Sequence, residues 1–175
     1  MVRPLTSRPL DLVYFGFFVS HIFASLCIDF QPLYPTTLVP SLLRDFAGWY
    51  IRSSNDPLLK SAFGHTEPLV WFQSFLFLEV AFQFPLFFVA ARGLWNDSQQ
   101  IYIPMLVYAA STATTVWPCL MTIVSSNVAP HEQAMLLSSY VPFFVIPLVM
   151  TIDMAFRVHG LVSVALLAQS AAKQK

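Results

Sequence analysis

The stretch PLVWFQSFLFLEVAFQFPLFFVAA, residues 68–91, carries a single ionisable side chain, Glu79, in a run long enough to cross a bilayer. A spanning helix needs about 20 mostly apolar residues. A charge near its centre costs roughly 2.5–3.5 kcal/mol on insertion scales, so Glu79 must face protein or an internal cavity. At helical spacing around it stand Gln83, Phe75 and Phe72, a stripe of one carboxyl, one amide and two rings on one face. Such a stripe lines a pocket or packs against neighbouring helices.

Three more runs have the same character: residues 12–28, 101–125 and 134–156, each flanked by polar or charged side chains. The whole composition agrees, with 57% hydrophobic and 10% charged residues and a mean hydropathy of +0.64. A soluble core of this size has no room for that much apolar surface, so lipid must cover the rest. The chain is read as an all-α membrane protein of four transmembrane helices. Pro85, Pro118, Pro142 and Pro147 fall inside the runs, where they are tolerated because neighbouring helices and hydroxyls satisfy the freed carbonyls; kinks are expected there. The first run follows Arg3 and Arg8 but lacks an A-x-A site and leads into Asp29 and a proline-containing segment, which argues against a cleaved signal peptide.

Four spans put the N-terminus, the loop after the second span and the C-terminus on one side. That side carries Arg3, Arg8, Arg92, Arg157, Lys173 and Lys175, against Arg44, Arg52 and Lys60 in the first loop. The positive-inside rule then places both termini in the cytoplasm. The organisation is a cytoplasmic N-terminus at 1–9, a membrane domain at 10–157 and a cytoplasmic tail at 158–175.

The first loop, residues 30–67, is too long and too apolar to be a plain connection. Leu42, Leu43, Phe46, Trp49 and Tyr50 recur at helical spacing behind Ser41, predicting an amphipathic luminal helix with Ser41 as its cap. In NDPLL, Asp56 is placed to cap a second helix with Pro57 in its first turn, a structural role.

Zero net charge and the lack of a basic stripe exclude a nucleic-acid partner. Cys27 and Cys119 lie in apolar runs and read as buried thiols, not a disulfide. No metal-ligand spacing and no glycine-rich phosphate loop is present, so neither a metal nor a cofactor is expected. Ala109, Ala110 and Ala113 offer small residues for a homodimer through the third span.

The second membrane acid is Asp29, at the luminal end of the first span, preceded by Ser25 and His21 at helical spacing. A hydrogen bond to a neighbouring helix is the ordinary use of such a histidine. Tyr108, Thr112, Thr115 and Cys119 follow helical spacing on the third span, and Tyr140 and Phe143 stand on the fourth. At 1.5 Å per residue Asp29 and Glu79 lie at different depths and meet only if the helices tilt or the first loop folds inward. If they meet, low dielectric prevents both from staying ionised; one holds a proton and bonds to the other. The pair then carries one negative charge among rings, a partner for a ligand cation with an apolar body.

The segments SHIFASLCIDFQPLYP, WYIRSSNDPLL, FLFLEVAFQFP, TTVWP and YVPFFVIP, in this order and spacing, resemble receptor members of the EXPERA family, which also contains the emopamil-binding sterol isomerases. The similarity runs from residue 10 to 157. It implies a four-helix endoplasmic-reticulum protein of sterol homeostasis, with a cavity inside the bilayer that binds sterols and hydrophobic amines and with other sterol-handling membrane proteins as partners. By that resemblance Asp29 pairs with the ligand amine and Glu79 bonds to Asp29, Asp56 is structural, and His21, Tyr50, Gln83, Thr115, Tyr140 and Phe143 hold pocket positions. Phe143 stands where the family's receptors have a tyrosine, and Trp117 replaces a smaller aliphatic, which would narrow the cavity. The tail AAKQK lacks the adjacent lysine pair of a retrieval signal. The alternative function is a sterol Δ8–Δ7 isomerase using the acid pair. Against it, the isomerases have an extra span and a further histidine and glutamate, whereas Phe75 stands four residues before Glu79.

Overall fold

The computed structural model describes residues 3–173; Lys175, one of the cations counted for orientation, lies outside the described residues. Those residues form helices and connecting turns, with no strand among them. Helix α1 is Pro9–Ala24, α2 Ser41–Ser54, α3 Pro57–Ala62, α4 Val70–Leu78, α5 Phe84–Trp95, α6 Tyr102–Ser125 and α7 Pro130–Lys173. Four continuous helical stretches are long and apolar enough to span a membrane: Pro9–Asp29, Val70–Trp95, Gln99–Ser125 and Pro130–Lys173.

The first two of these stretches are interrupted within the span. Each contains one π-turn: Ser25–Asp29 continues α1, and Glu79–Gln83 joins α4 to α5. The Phe30 amide reaches back to the Ser25 carbonyl at 2.9 Å, the i→i+5 bond of this geometry. A π-turn adds one residue to a helical turn and re-aims the side chains beyond it, and such turns are frequent at functional sites. Pro85 is the second residue of α5, where its missing N–H falls in the first turn of the restarted helix. Helix α6 runs through Pro118 and α7 through Pro142 and Pro147 without interruption.

The bundle packs α6 along α7 and α1 along α5. Near the termini a core of Tyr14, Phe17, Phe18, Phe87, Leu94, Met105, Tyr108 and Met154 is sealed from solvent and lipid. A second core, Leu58, Phe72, Leu76, Cys119, Ile123 and Leu136, closes the opposite end. Burying each such side chain contributes about 1.5–3 kcal/mol relative to exposure. Outward from both cores, Phe77, Phe88, Ile103, Val107, Ile152 and Phe156 are exposed, the lipid-facing surface that an apolar solvent permits.

The termini side is clamped by ions. Asp11, 3% exposed, receives Arg8 at 2.7 Å and Arg157 at 2.8 Å. Arg157 also grips Asp153 at 2.9 Å, and Arg3 reaches Asp97 at 2.8 Å. This lattice ties the N-terminal segment, the second loop and α7 together across 146 residues of sequence. The Arg3 guanidinium holds the Asp97 carboxyl down at about 2. Asp97 itself has φ 52, a left-handed position that aspartate tolerates.

Two sequence expectations fail, the Ser41 cap and the narrowing by Trp117. Ser41 does not cap α2: Pro40 occupies that position and no side chain bonds the first turn, because Ser41 already lies inside the helix. Of the three alanines on α6, Ala109 and Ala113 are buried within the chain, at 0% and 8% exposure, and serve internal packing, while Ala110 is exposed. Trp117 is 51% exposed and packs on Phe144 with ring centroids 5.3 Å apart; it points away from the interior and does not narrow the cavity. Residues 158–173, the described part of the expected tail, are helical and continuous with the fourth span.

Candidate ligand-binding cavity

Between the two cores the bundle encloses a cavity of about 260 Å³. Helix α1 and its π-turn contribute His21, Ala24, Ile28 and Asp29, and α4 with the second π-turn contributes Phe72, Phe75, Glu79 and Gln83. Thr112, Thr115, Val116 and Cys119 come from α6, and Ser139, Tyr140 and Phe143 from α7. The first loop folds over the cavity and adds Tyr50 and Leu59. Every residue read from the sequence as a pocket position lines this one space: Asp29, Glu79, His21, Tyr50, Gln83, Thr115, Tyr140 and Phe143.

The loop folds inward because its own polar groups are satisfied there. Gln31, 6% exposed, donates to the Leu43 carbonyl at 2.9 Å and also to that of Cys27, which pins α2 to the end of the first span. Asn55 closes α2 in the left-handed conformation at φ 56, as residues after a helix end often do. Asp56 then starts α3. Its Oδ1 accepts from the amides of Leu58 at 2.8 Å and Leu59 at 3.1 Å, and its Oδ2 accepts from the Tyr140 hydroxyl at 2.9 Å. Burial pushes the Asp56 carboxyl up, and the Leu59 amide and the Tyr140 hydroxyl work against that shift. Tyr140 thus joins the loop to α7 with its hydroxyl while its ring faces the cavity. Burial likewise pushes the Tyr50 phenol up.

At the membrane acids the arrangement is specific. The Ser25 hydroxyl, fully buried, donates to Oε1 of Glu79 at 2.5 Å. His21 Nε2 lies 3.7 Å from the same oxygen, and His21 Nδ1 is 3.2 Å from the Tyr108 hydroxyl. The imidazole stacks on Phe87 at 4.5 Å and meets the edge of Phe143 at 4.7 Å. Asp29 and Glu79 share the cavity, and Glu79 is held there by Ser25. Ser25 and the Tyr108–His21 contact are what sequence reasoning passed over as partners of Glu79. The signal was the i, i+4 series His21, Ser25, Asp29, whose middle member was treated only as part of a polar face.

Chemically, this is an apolar chamber with two carboxyls at one end of a ring-lined wall. It offers acceptors to a donor, π-faces to a cation and flat apolar surface to a fused-ring body.

A model of the EXPERA family, the expanded EBP superfamily, matches residues 42–154. The chain belongs to this family. It is 33% identical over 167 residues to Sigma intracellular receptor 2 of Homo sapiens, an alignment that covers 88% of this chain and 92% of that protein. The protein of the same name in Xenopus tropicalis is 32% identical, covering 86% and 90%. Efficient mitochondria targeting-associated protein 19 of Schizosaccharomyces pombe is 28% identical, covering 88% of this chain and 79% of that protein. An EXPERA member with four apolar helices is a multi-pass membrane protein related to the sterol-handling superfamily.

Proposed function

We propose that this EXPERA protein is an intramembrane receptor that binds hydrophobic cationic amines and sterols in the cavity between its helices. The observation that carries this reading is the convergence of Asp29 and Glu79 on one apolar chamber of about 260 Å³. Two carboxyls in one low-dielectric space favour a single shared negative charge, and that charge selects a ligand with one ammonium and an apolar body. Sterols use the same walls, with the 3-hydroxyl replacing the ammonium at the acids. The name of the human and frog relatives, an intracellular receptor, fits a binding role. Sterol homeostasis in the endoplasmic reticulum, with both termini cytoplasmic and other sterol-handling membrane proteins as partners, is the physiological setting we propose.

The second reading, a sterol isomerase, draws on one observation: His21 stands 3.7 Å from Glu79, within range of a proton carrier after small motion. General acid–base work needs a positioned donor and acceptor on opposite sides of the reacting carbons. Here His21 and Glu79 point at each other, and Phe75 occupies the wall beside Glu79. Binding without turnover is the better fit.

Purified protein in lipid nanodiscs, titrated with a hydrophobic tertiary amine and with a Δ8 sterol, tests both. Saturable binding of each at one mutually exclusive site, with the sterol recovered unchanged, is the expected result. Conversion of the sterol that disappears in Glu79→Gln would move the assignment to the isomerase.

A further inference from the structure

A second hollow lies in the first loop, outside the cavity. Gly48, Ile51, Arg52, Asn55, Lys60 and His65 line an open pocket of about 440 Å³, and none of the six lines the cavity. Its walls hold two fixed cations and an imidazole, and no carboxylate. Among the described residues no acid pairs with Arg52. Like charges gathered in this way draw an anion.

Local geometry at three positions aims these side chains at one another. Gly48 stands one turn before Arg52, and a Cβ there would sit 3.1 Å from Arg52 Nη1 and 3.9 Å from its Cζ, so the guanidinium lies folded back over the helix in the space the glycine leaves. Glycine weakens a helix interior relative to alanine, and the seat of the guanidinium accounts for it here. Asn55, left-handed at the end of α2, turns its Oδ1 to the Lys60 ammonium and its Nδ2 to Glu132. Its amide thus stands between that acid and the ammonium, and Glu132 is further engaged by the Ala129 amide at 2.9 Å. An ammonium has three donors, of which Asn55 takes one. At the end of α3 the Gly64 amide bonds the Ser61 carbonyl at 3.2 Å and the His65 amide bonds the Lys60 carbonyl at 2.8 Å. This is a Schellman ending, with Gly64 at φ 74, and it brings His65 back beside Lys60.

The depth of the pocket is set by α7. Asn55 Nδ2 reaches Glu132 at 3.3 Å, and Glu132 lies in the first turn of α7, at the start of the fourth span. From Pro130 to Arg157, where the ion pairs of the termini side begin, α7 is about 42 Å long, the thickness of a bilayer with its headgroups. The first turn is therefore at headgroup level. Trp49, three residues before Arg52, is 53% exposed and stacks on Phe46 at 5.9 Å, and exposed indoles are enriched at that level. The oxyanion abundant there is phosphate.

We propose that this pocket binds one phosphate group, carried by an anionic lipid headgroup in the leaflet opposite the termini or dissolved as free phosphate beside it. The depth favours the lipid. Arg52 supplies the planar fork that matches two phosphate oxygens, Lys60 a point charge, and His65 a ring N–H in either protonation state. A phosphate shared by Arg52 of α2 and Lys60 of α3 ties together the two helices of the loop that folds over the cavity. None of this depends on what the cavity binds.

The test uses the full chain in nanodiscs of equal parts phosphatidylcholine and phosphatidylglycerol, with the lipids that stay on the released protein counted by native mass spectrometry. A separate arm titrates delipidated protein in detergent with inorganic phosphate by calorimetry. A basic side chain near a lipid surface is worth about fivefold in affinity. Arg52→Gln and Lys60→Gln should each lower retained phosphatidylglycerol by about that factor, and Gly48→Ala, which keeps both charges and favours the helix, should lower it too. Arg92→Gln, an exposed cation in the last turn of α5, should leave it unchanged. Phosphate binding in the second arm that Arg52→Gln abolishes, with lipid retention equal in parent and variant, assigns the site to the free anion. Lipid retention and phosphate binding that both survive Arg52→Gln/Lys60→Gln, or that are both absent from the parent, would overturn the proposal. So would an equal loss in Arg92→Gln, which would mark attraction to any surface cation.

Discussion

Ser25 donates a 2.5 Å hydrogen bond to Oε1 of Glu79, and each of these residues is the first of a π-turn. The two irregular turns are therefore joined at their starts, across 54 residues of sequence. Each widened turn ends on a residue that lines the cavity, Asp29 in one case and Gln83 in the other. The bond holds the Glu79 side chain in place before any ligand arrives.

Removing that bond should loosen the site without unfolding the protein. Ser25→Ala takes away one donor, and a hydrogen bond of this kind is worth about 1 kcal/mol net, or roughly fivefold in affinity. Amine binding to Ser25→Ala should weaken by about that factor while the melting temperature in detergent stays close to the parent's. Ser25→Thr, which keeps the hydroxyl, should restore most of the affinity.

Asp56 acts through the fold. Asp56→Ala strands the Leu58 and Leu59 amides and the Tyr140 hydroxyl, and losing a cap alone costs about 1–2 kcal/mol. Thermal unfolding should shift down markedly, and binding should fall for amines and neutral sterols alike. Asp56→Asn keeps an acceptor at one of the two oxygen positions and puts a donor at the other, so it should fall between parent and Asp56→Ala in a melting curve.

The ionic lattice at the termini should prove costly to break. Asp11 serves Arg8 and Arg157 at once, with Arg8 and Asp11 side chains only 6% and 4% exposed. Removing one partner of a buried pair typically costs 3–5 kcal/mol. Asp11→Asn should lower the melting temperature more than Asp97→Asn does, since the Arg3–Asp97 pair is partly open to solvent.

The Arg3–Asp97 pair carries a pH signature. The Asp97 carboxyl is held at about 2, below its unfolded value near 3.9, so its contribution is fully present above the unfolded value and is lost as pH falls through about 2. The difference in melting temperature between parent and Asp97→Asn should stay constant from pH 8 to pH 5 and shrink only toward pH 2. A difference that vanishes by pH 5 would show that the pair does not hold in the folded protein.

Much of this architecture was legible because membrane spans announce themselves by composition, and because Asn55-Asp56-Pro57 combines a helix end, a cap and a first-turn proline in three residues. Of the cavity-lining positions on α6, Thr115 was expected from the family resemblance; periodicity puts Thr112, Thr115 and Cys119 on one face without saying that the face lines a cavity. The same periodicity, applied to Trp117, places it on a different face from Thr115, and its outward direction could have been read that way. The π-turns could not, since an i→i+5 bond leaves no residue signature and only tertiary packing selects it. Nor could the meeting of Asp11 with Arg157, which depends on which helices become neighbours. That Asp29 and Glu79 line one cavity depends on the π-turns and on the loop that Gln31 pins inward, neither of which has a local sequence signal.

The central claim is that one negative charge on the Asp29–Glu79 pair selects cationic ligands, and affinities of a hydrophobic tertiary amine and of a neutral sterol for parent, Asp29→Asn and Glu79→Gln protein test it most directly. Removing the charge leaves a buried ammonium unpaired at a cost of several kcal/mol. Asp29→Asn should therefore lose amine binding by a hundredfold or more, about 3 kcal/mol, while sterol affinity changes little; Glu79→Gln should weaken the amine only moderately. Asp29→Asn protein that remains folded and binds the amine as tightly as the parent would contradict the account.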